Sequence, residues 1–291
     1  MANRYAPRVL GTVALLTVAL AGCAPAADAP APTTTGSPVP ALSCDKSTLK
    51  TRTAGKLTIG TDNPAYEPWF TDNKPENGEG FEGAVAAAVA GKLGYAASDV
   101  TWTRVPFNNA IAPGPKQYDI DLNQFSITPE RRKAVDFSAP YYLVRQSVIA
   151  LKSGRIARAT KLADLKNARL GAQVGTTSLV GITELIKPDR EPRVYNSNDD
   201  AKKALQNKQI DGLVVDLPTA FFMTSAELRD AVIVGQLPQV GVPEQFGIVL
   251  DKDSPLTGCV SKAVDDLRRE GLLTEMEEKW LGQVAGARDL T

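Results

Sequence analysis

The sequence predicts an α/β fold of two domains, on three observations. The chain has 291 residues, enough for two ordinary domains. Its hydrophobic content of 43% is sufficient to fill packed cores. Short runs of alternating apolar residues, such as Lys56 to Thr61 and Val100 to Val105, are followed by stretches with helical spacing, the order expected of strands feeding helices. Composition then narrows the function. Lys plus Arg and Asp plus Glu both number 33, so no basic field points to nucleic acid. There is no histidine, which removes the usual general base, the commonest metal ligand and the common pH switch. A Ser-His-Asp hydrolase and a His-bearing metal centre are excluded, and neither a metal nor a cofactor is expected.

Arg4 and Arg8 precede an apolar run from Val9 to Leu20, too short to cross a bilayer comfortably. A positive start, a short apolar stretch and small residues at its end make a secretory signal over residues 1–22. Leu20-Ala21-Gly22-Cys23 resembles a bacterial lipobox, which implies cleavage before Cys23 and lipid on its sulfur and amine. An ordinary signal peptide with an incidental cysteine is the alternative. Losing residues 1–22 removes Arg4 and Arg8 and no acid, which leaves a mature net charge of −2. Residues 23–43 read as a lipidated tether, with Pro25, Pro30, Pro32, Pro38 and Pro40 spread among Ala, Thr, Gly and Ser. Such a segment cannot bury a core and stays extended. Cys44 and Cys259 remain as an even pair in an exported, oxidising setting. A disulfide between them is expected, with two buried free thiols as the alternative.

The folded region begins with the strand Lys56 to Thr61. It runs into Asp62-Asn63-Pro64-Ala65-Tyr66-Glu67-Pro68-Trp69-Phe70, a loop whose rings are either buried or used on a ligand. Trp69 and Phe70 are assigned to the core. Thr71 to Gly80 is a polar, Gly-rich loop. Phe81, Val85, Ala88 and Val89 recur at helical spacing, and Gly94 stops that helix. After the strand Val100 to Val105 comes Phe107, and Ala112-Pro113-Gly114-Pro115 cuts short the helix that follows it.

Tyr118 to Tyr142 carries the densest signal. Ile120 and Leu122 alternate with polar residues, as in a short half-buried strand. The strand runs out into Asn123, Gln124 and Ser126, three neutral hydrogen-bonding side chains. Thr128 then caps a helix, Pro129 fits its first turn and Glu130 favours its positive end. Arg131 is thereby fixed beside a strand end, where its planar fork makes a carboxylate receptor.

Asp119, Ser126-Ile127-Thr128, Glu130-Arg131, Lys133, Val135-Asp136-Phe137-Ser138 and Pro140-Tyr141-Tyr142 together resemble the signature of the extracellular solute-binding proteins of family 3. Those are the polar amino-acid receptors of ABC importers. The resemblance runs from about Lys56 to Gly282 and ends on Glu270-Gly271-Leu272-Leu273 and Lys279-Trp280-Leu281. It implies a periplasmic-binding-protein-like fold of type II, two α/β lobes with a ligand cleft and two hinge crossings. Residues 44–142 with 246–291 are expected to form the first lobe, and 143–245 the second. The resemblance also implies roles. Arg131 grips the ligand's α-carboxylate, Asp62 reaches its side chain, and Tyr66 and Phe107 stack over its stem. Asn123 and Gln124 stand where the family has small residues and offer amides to the ligand side chain. Ser126 belongs to the row of donors beside Arg131.

In the second lobe Ser138 to Val144 reads as the outgoing hinge strand, Ser147 to Leu151 as an apolar strand and Lys161 to Leu165 as a short helix. Arg169 to Ser178 reads as strand, glycine turn and helix start, whose free N–H groups favour an anion. By the resemblance, Thr176 or Thr177 completes the carboxylate site while the other caps the helix, and Gln173 reads the side chain. Ser197 caps a helix that turns Ala201, Ala204 and Leu205 inward. The apolar strand Ile210 to Asp216 ends in an acid at its C-terminal edge, where open α/β sheets hold ligands, and Pro218 opens the next helix. The resemblance gives Asp216 the α-ammonium; a helix-capping aspartate is the alternative. Pro243 to Leu250 returns to the first lobe, and Lys262 to Arg269 and Leu272 to Trp280 are amphipathic helices parted by Gly271.

The implied function is a monomeric, lipid-anchored receptor outside the cytoplasm. It closes on a polar L-amino acid and delivers it to an ABC permease with its ATPase. Glutamine or asparagine ranks first as ligand, arginine or lysine second, glutamate or aspartate third. Two other readings share the fold. One is a ligand-sensing subunit of a membrane signalling protein. The other resembles exported cyclohexadienyl dehydratases, but the sequence supplies no second catalytic motif for it.

Overall fold

The structure is a computed structural model that describes residues 43–282 and 286–291. The signal, Cys23 and most of the tether lie outside the described residues. The folded chain opens with β1 (Leu57–Thr61), α1 (Phe81–Lys92), β2 (Val100–Arg104), α2 (Phe107–Ile111), β3 (Ile120–Asp121) and β4 (Val135–Leu143). It continues with β5 (Gln146–Leu151), β6 (Leu170–Gln173), α3 (Thr177–Val180), β7 (Arg193–Tyr195), α4 (Asn198–Gln206), β8 (Gly212–Asp216), α5 (Leu217–Phe222) and β9 (Ala231–Gln236). β10 (Gln245–Asp251), α6 (Thr257–Arg269) and α7 (Leu272–Leu281) complete it.

Two five-stranded sheets result. The first runs β2-β1-β3-β10-β4 and the second β7-β6-β8-β5-β9. In the first, β1 is parallel to β2 and β3, while β10 runs antiparallel to β3 and β4. The chain leaves the first sheet through Val144 and Arg145 and returns through residues 237–244. The two crossings touch, because Val144 N donates to the Glu244 carbonyl at 3.1 Å. Cys44 and Cys259 are joined in a disulfide, which pins the start of the folded chain to α6.

Local expectations that fail do so for visible reasons. The helix expected after Thr128 is a single 3-10 turn, Arg131–Lys133. Thr128 Oγ1 does accept from Arg131 N at 3.2 Å, but β4 starts at Val135 and leaves no length for an α-helix. The helix expected at Lys161 is likewise a 3-10 turn, Leu162–Leu165. α6 starts at Thr257, earlier than its polar stripe suggested, because Cys259 and Val260 are already buried in its first turns.

The largest departure concerns the C-terminus. Residues 286–291 were expected in the first lobe, but they lie on the second sheet. Asp289 bridges Gln236 in parallel, and Leu162 N donates to the Thr291 carbonyl at 3.1 Å. Leu290 is fully buried among Val234, Leu237 and Ile182 in the core of the second lobe. A Cβ at Gly235 would lie 2.8 Å from Leu290 Cγ, so only glycine lets the tail approach this closely. The polypeptide thus passes between the lobes a third time, after α7.

Candidate functional site

The site forms where chain emerges from the C-terminal ends of β1 and β3 in the first lobe and of β6 and β8 in the second, the usual ligand position in open α/β sheets. Asp62, Tyr66, Phe107, Asn123, Gln124 and Arg131 line one wall of a single cleft. Gln173, Thr176, Thr177 and Asp216 line the other. Every expected ligand residue except Ser126 is therefore on this surface. Ser178 and Asn198, which sequence reasoning missed, complete the lining.

Arg131 is held firmly. Its Nη1 donates to the Ser126 carbonyl at 2.7 Å, and its Nη2 donates across the lobes to the Gly175 carbonyl at 2.9 Å. The Phe107 ring lies 5.4 Å from the guanidinium carbon and stacks on Phe125 at 4.9 Å. Burial pulls the guanidinium down to about 10, still well above neutrality, so it stays cationic. Two of its five N–H groups fix its plane, which leaves others for a carboxylate.

Asp216 answers from the other lobe. Its side chain makes no capping bond to α5; instead its Oδ1 accepts from Gln146 Nε2 at 2.7 Å. Burial pushes its carboxyl up to about 8, and the nearby carboxylates of Glu244 and Glu82 add to this, while Gln146 and Arg131 pull it back. A cation placed beside it favours ionisation. The two threonines have different partners. Thr176 Oγ1 accepts from Leu179 N at 3.2 Å and so caps α3. Thr177 Oγ1 donates to Glu244 at 2.6 Å.

At the other end of the cleft, Asp62 Oδ1 accepts from Asn63 N at 2.7 Å and Oδ2 from Phe107 N at 3.3 Å. Burial raises its carboxyl despite these bonds. Gln124 differs from expectation. It adopts a left-handed backbone, φ 50°, a costly conformation for a residue with a Cβ. Its N donates to Glu82 Oε1 at 2.7 Å and its side-chain amide donates to Glu82 Oε2, so that amide turns inward. Tyr141 also donates to Glu82, and burial pushes this carboxyl up to about 7. Asn123 Nδ2, by contrast, is buried without a hydrogen-bond partner.

Two further residues organise the site. Gln146 Nε2 donates to both Asp216 and Glu244, and its Oε1 accepts from Ser178 Oγ at 2.6 Å. Glu244 accepts from Ser126 Oγ, which is thus bound to the return crossing although it lies 3.2 Å from Thr177 Oγ1 of the cleft lining. A glutamine opening a fully buried strand whose last four residues are apolar (Gln-Ser-Val-Ile-Ala-Leu) was the available signal for Gln146. The lobes also meet at Trp69, whose Nε1 donates to Thr219 Oγ1 at 2.9 Å. The arrangement presents a fixed cation and an opposed acid on two separable walls, which suits a zwitterion.

Comparison with known proteins identifies the family. The family model of the bacterial extracellular solute-binding proteins, family 3, matches residues 57–283. The arginine-binding extracellular protein ArtP of Bacillus subtilis is 29% identical over 231 residues, spanning 77% of this chain and 86% of its own length. The L-arginine-binding protein of Pseudomonas aeruginosa is 29% identical over 249 residues, 82% of this chain and 93% of that one. Among solved structures, an ancestral arginine-binding protein bound to glutamine aligns with a TM-score of 0.67 and 28% identity, over 79% of this chain and 100% of that one. These relatives are binding proteins with two lobes of the type II arrangement, and the match extends across both sheets and the cleft between them. The chain belongs to the bacterial extracellular solute-binding proteins, family 3.

Proposed function

We propose that the protein captures one free polar L-amino acid outside the cytoplasm and hands it to an ABC permease and its ATPase, as a monomer held to the membrane by lipid on Cys23. The observation that carries the reading is the pairing of Arg131 with Asp216 across the two walls of one cleft. Arg131 takes the α-carboxylate and Asp216 the α-ammonium, so the zwitterion favours the closed arrangement by the difference in contacts between open and closed states.

The side chain is best matched by a cation. The zwitterion offsets Arg131 and Asp216, and Asp62 is then left at the far end, with burial opposing its charge. An arginine or lysine side chain relieves that cost, and an amide is the second choice. The named relatives are arginine-binding proteins, and one such ancestral protein is described bound to glutamine. This reverses the order drawn from sequence. A thermal-shift screen of the twenty free amino acids, followed by calorimetry, tests it. L-arginine and L-lysine should give the largest stabilisation. No shift with any amino acid would reject the receptor reading, and a shift only with glutamate or aspartate would reject the cationic assignment. The anchor is tested separately: Cys23→Ser should move the protein from the membrane fraction to the soluble one.

A further inference from the structure

We propose that Glu244 is a positioning residue that latches the two lobes together behind the ligand cleft. Glu244 stands on the return crossing, one residue before β10. Its Oε1 accepts from Ser126 Oγ at 2.5 Å and from Thr177 Oγ1 at 2.6 Å. Ser126 belongs to the first lobe, where it bridges Phe246 of β10. Thr177 opens α3 in the second lobe. Gln146 Nε2 reaches the two Glu244 oxygens at 3.1 and 3.2 Å. One carboxylate thus collects donors from both sides of the cleft, while the bond from Val144 N to its carbonyl holds its backbone in place.

Two consequences follow from the chemistry. Ser126 Oγ and Thr177 Oγ1 lie 3.2 Å apart, a separation the lobes keep only when shut, so opening breaks at least one bond to Glu244. Two hydroxyls and an amide converge on this one carboxyl group, so closure has a contribution that no ligand supplies. Each hydroxyl also has a single proton, and both protons are committed to Glu244. Ser126 and Thr177 therefore cannot donate to a ligand carboxylate, which falls to Arg131 and backbone N–H groups. The latch itself does not depend on the identity of the ligand; the second consequence rests on the amino-acid reading.

Small-angle scattering of the ligand-free protein tests the latch directly. Glu244→Ala should give a larger radius of gyration than wild type. With L-arginine as probe, its dissociation rate should rise about tenfold or more while association changes little, the loss of these bonds appearing mainly in the off-rate. Ser126→Ala should have the same effect in wild type and little further effect in the Glu244→Ala background. Glu244→Gln retains an acceptor but sets its amide against that of Gln146, so it should fall between the two, and it carries the measurement if the alanine variant does not fold. A residue that merely supports the fold would lower the melting temperature and leave the radius unchanged. An unchanged ligand-free radius in both variants overturns the latch. Wild type that binds no amino acid would reject the receptor reading instead, and the scattering result would still decide on the latch.

Discussion

The first lobe packs its sheet with rings. Trp69, Phe70, Phe81 and Phe246 are fully buried, and Trp69 meets Phe81, Tyr142 and Phe246 edge to face at 5.5 to 6.1 Å. The buried clusters of the second lobe are aliphatic, built from Ala, Val, Ile, Leu and one Met, with no ring among the described buried residues. The first lobe carries the disulfide; the second is closed by an extended tail. Their buried acids differ in the same way. Glu82 is surrounded by its own lobe's donors, Tyr141 and Gln124, whereas Asp216 faces the cleft. Large aromatic contacts and a covalent staple make a stiff platform, and Arg131 is mounted on it. The second lobe offers the Gly175 carbonyl to Arg131 and the Thr219 hydroxyl to Trp69, while its Asp216 carboxyl is held by Gln146 of the same lobe. The contrast teaches that the proposed recognition would be divided between an anchor on the ring-packed lobe and a facing surface on the aliphatic one.

The sharpest test of that division is Arg131. Removing one partner of a buried pair costs about 3–5 kcal/mol, because the other charge is left unpaired. Arg131→Ala should thus weaken binding of the cognate amino acid by roughly two to three orders of magnitude or more. Asp216→Asn should cost less, since, without ligand, burial pushes that carboxyl up to about 8, and part of what the ammonium contributes is spent on ionising it. Arg132, next after Arg131 in the chain, is exposed and rests near the Phe137 ring, so Arg132→Ala should bind as wild type. Calorimetry with circular dichroism as a folding control decides; equal losses at Arg131 and Asp216 would dissolve the platform and surface distinction.

The staple comes next. It closes a loop of 215 residues, for which the chain-entropy model sets an upper limit of about 5 kcal/mol, and loss of a native bridge commonly costs about 2–5 kcal/mol. The paired Cys44→Ala, Cys259→Ala variant should therefore unfold at lower urea, with hydrogen exchange quickening in α6 and β10 before β6 and β8. Faster exchange in the second lobe first would contradict the assignment of rigidity.

Glu82 gives a pH signature to the first lobe. Its folded carboxyl lies at about 7 against an ordinary 4.5, so the native state holds the proton that the unfolded chain releases. Stability should therefore fall as pH rises from about 4.5 to about 7 and then level, by up to ~3 kcal/mol at 1.36 kcal/mol per unit. Urea titrations at pH 5 and pH 8 should show this slope in wild type and a flatter one in Glu82→Gln. Identical slopes would mean that Glu82 is not buried as described.

The smallest effect concerns the tail. Leu290→Ala removes a fully buried side chain and should cost about 2 kcal/mol, near the low end for such changes because a chain end can settle into the gap. The loss should be read in exchange of β9 and leave the first lobe unaltered.

Much of this was legible in the chain. Arg131 announced itself because the residues that position it are neighbours in sequence: Thr128 caps its turn and β4 follows at once. Asp216 was legible for the same reason, as an acid ending an apolar strand before Pro218. Glu244 was not, because its partners Ser126, Gln146 and Thr177 come from three distant segments that only the crossings bring together. Gln124 misled, since nothing local shows that Glu82 will claim its amide. The tail was missed because a single leucine between Asp289 and Thr291 has no periodicity to read.

The tail and the disulfide together fix where the two ends of the folded chain ride. Ser43 and Cys44 leave from the first lobe, through Cys259, while Arg288 to Thr291 travel with the second. On the proposed anchoring and closure, the first lobe is therefore the stationary frame and the C-terminus is displaced with the second. A fluorophore at each end would turn the chain's own extremities into a ruler for occupancy, with no label inside the cleft. A bulky fusion at Thr291 would load the moving part alone and slow closing without touching a single residue of the site.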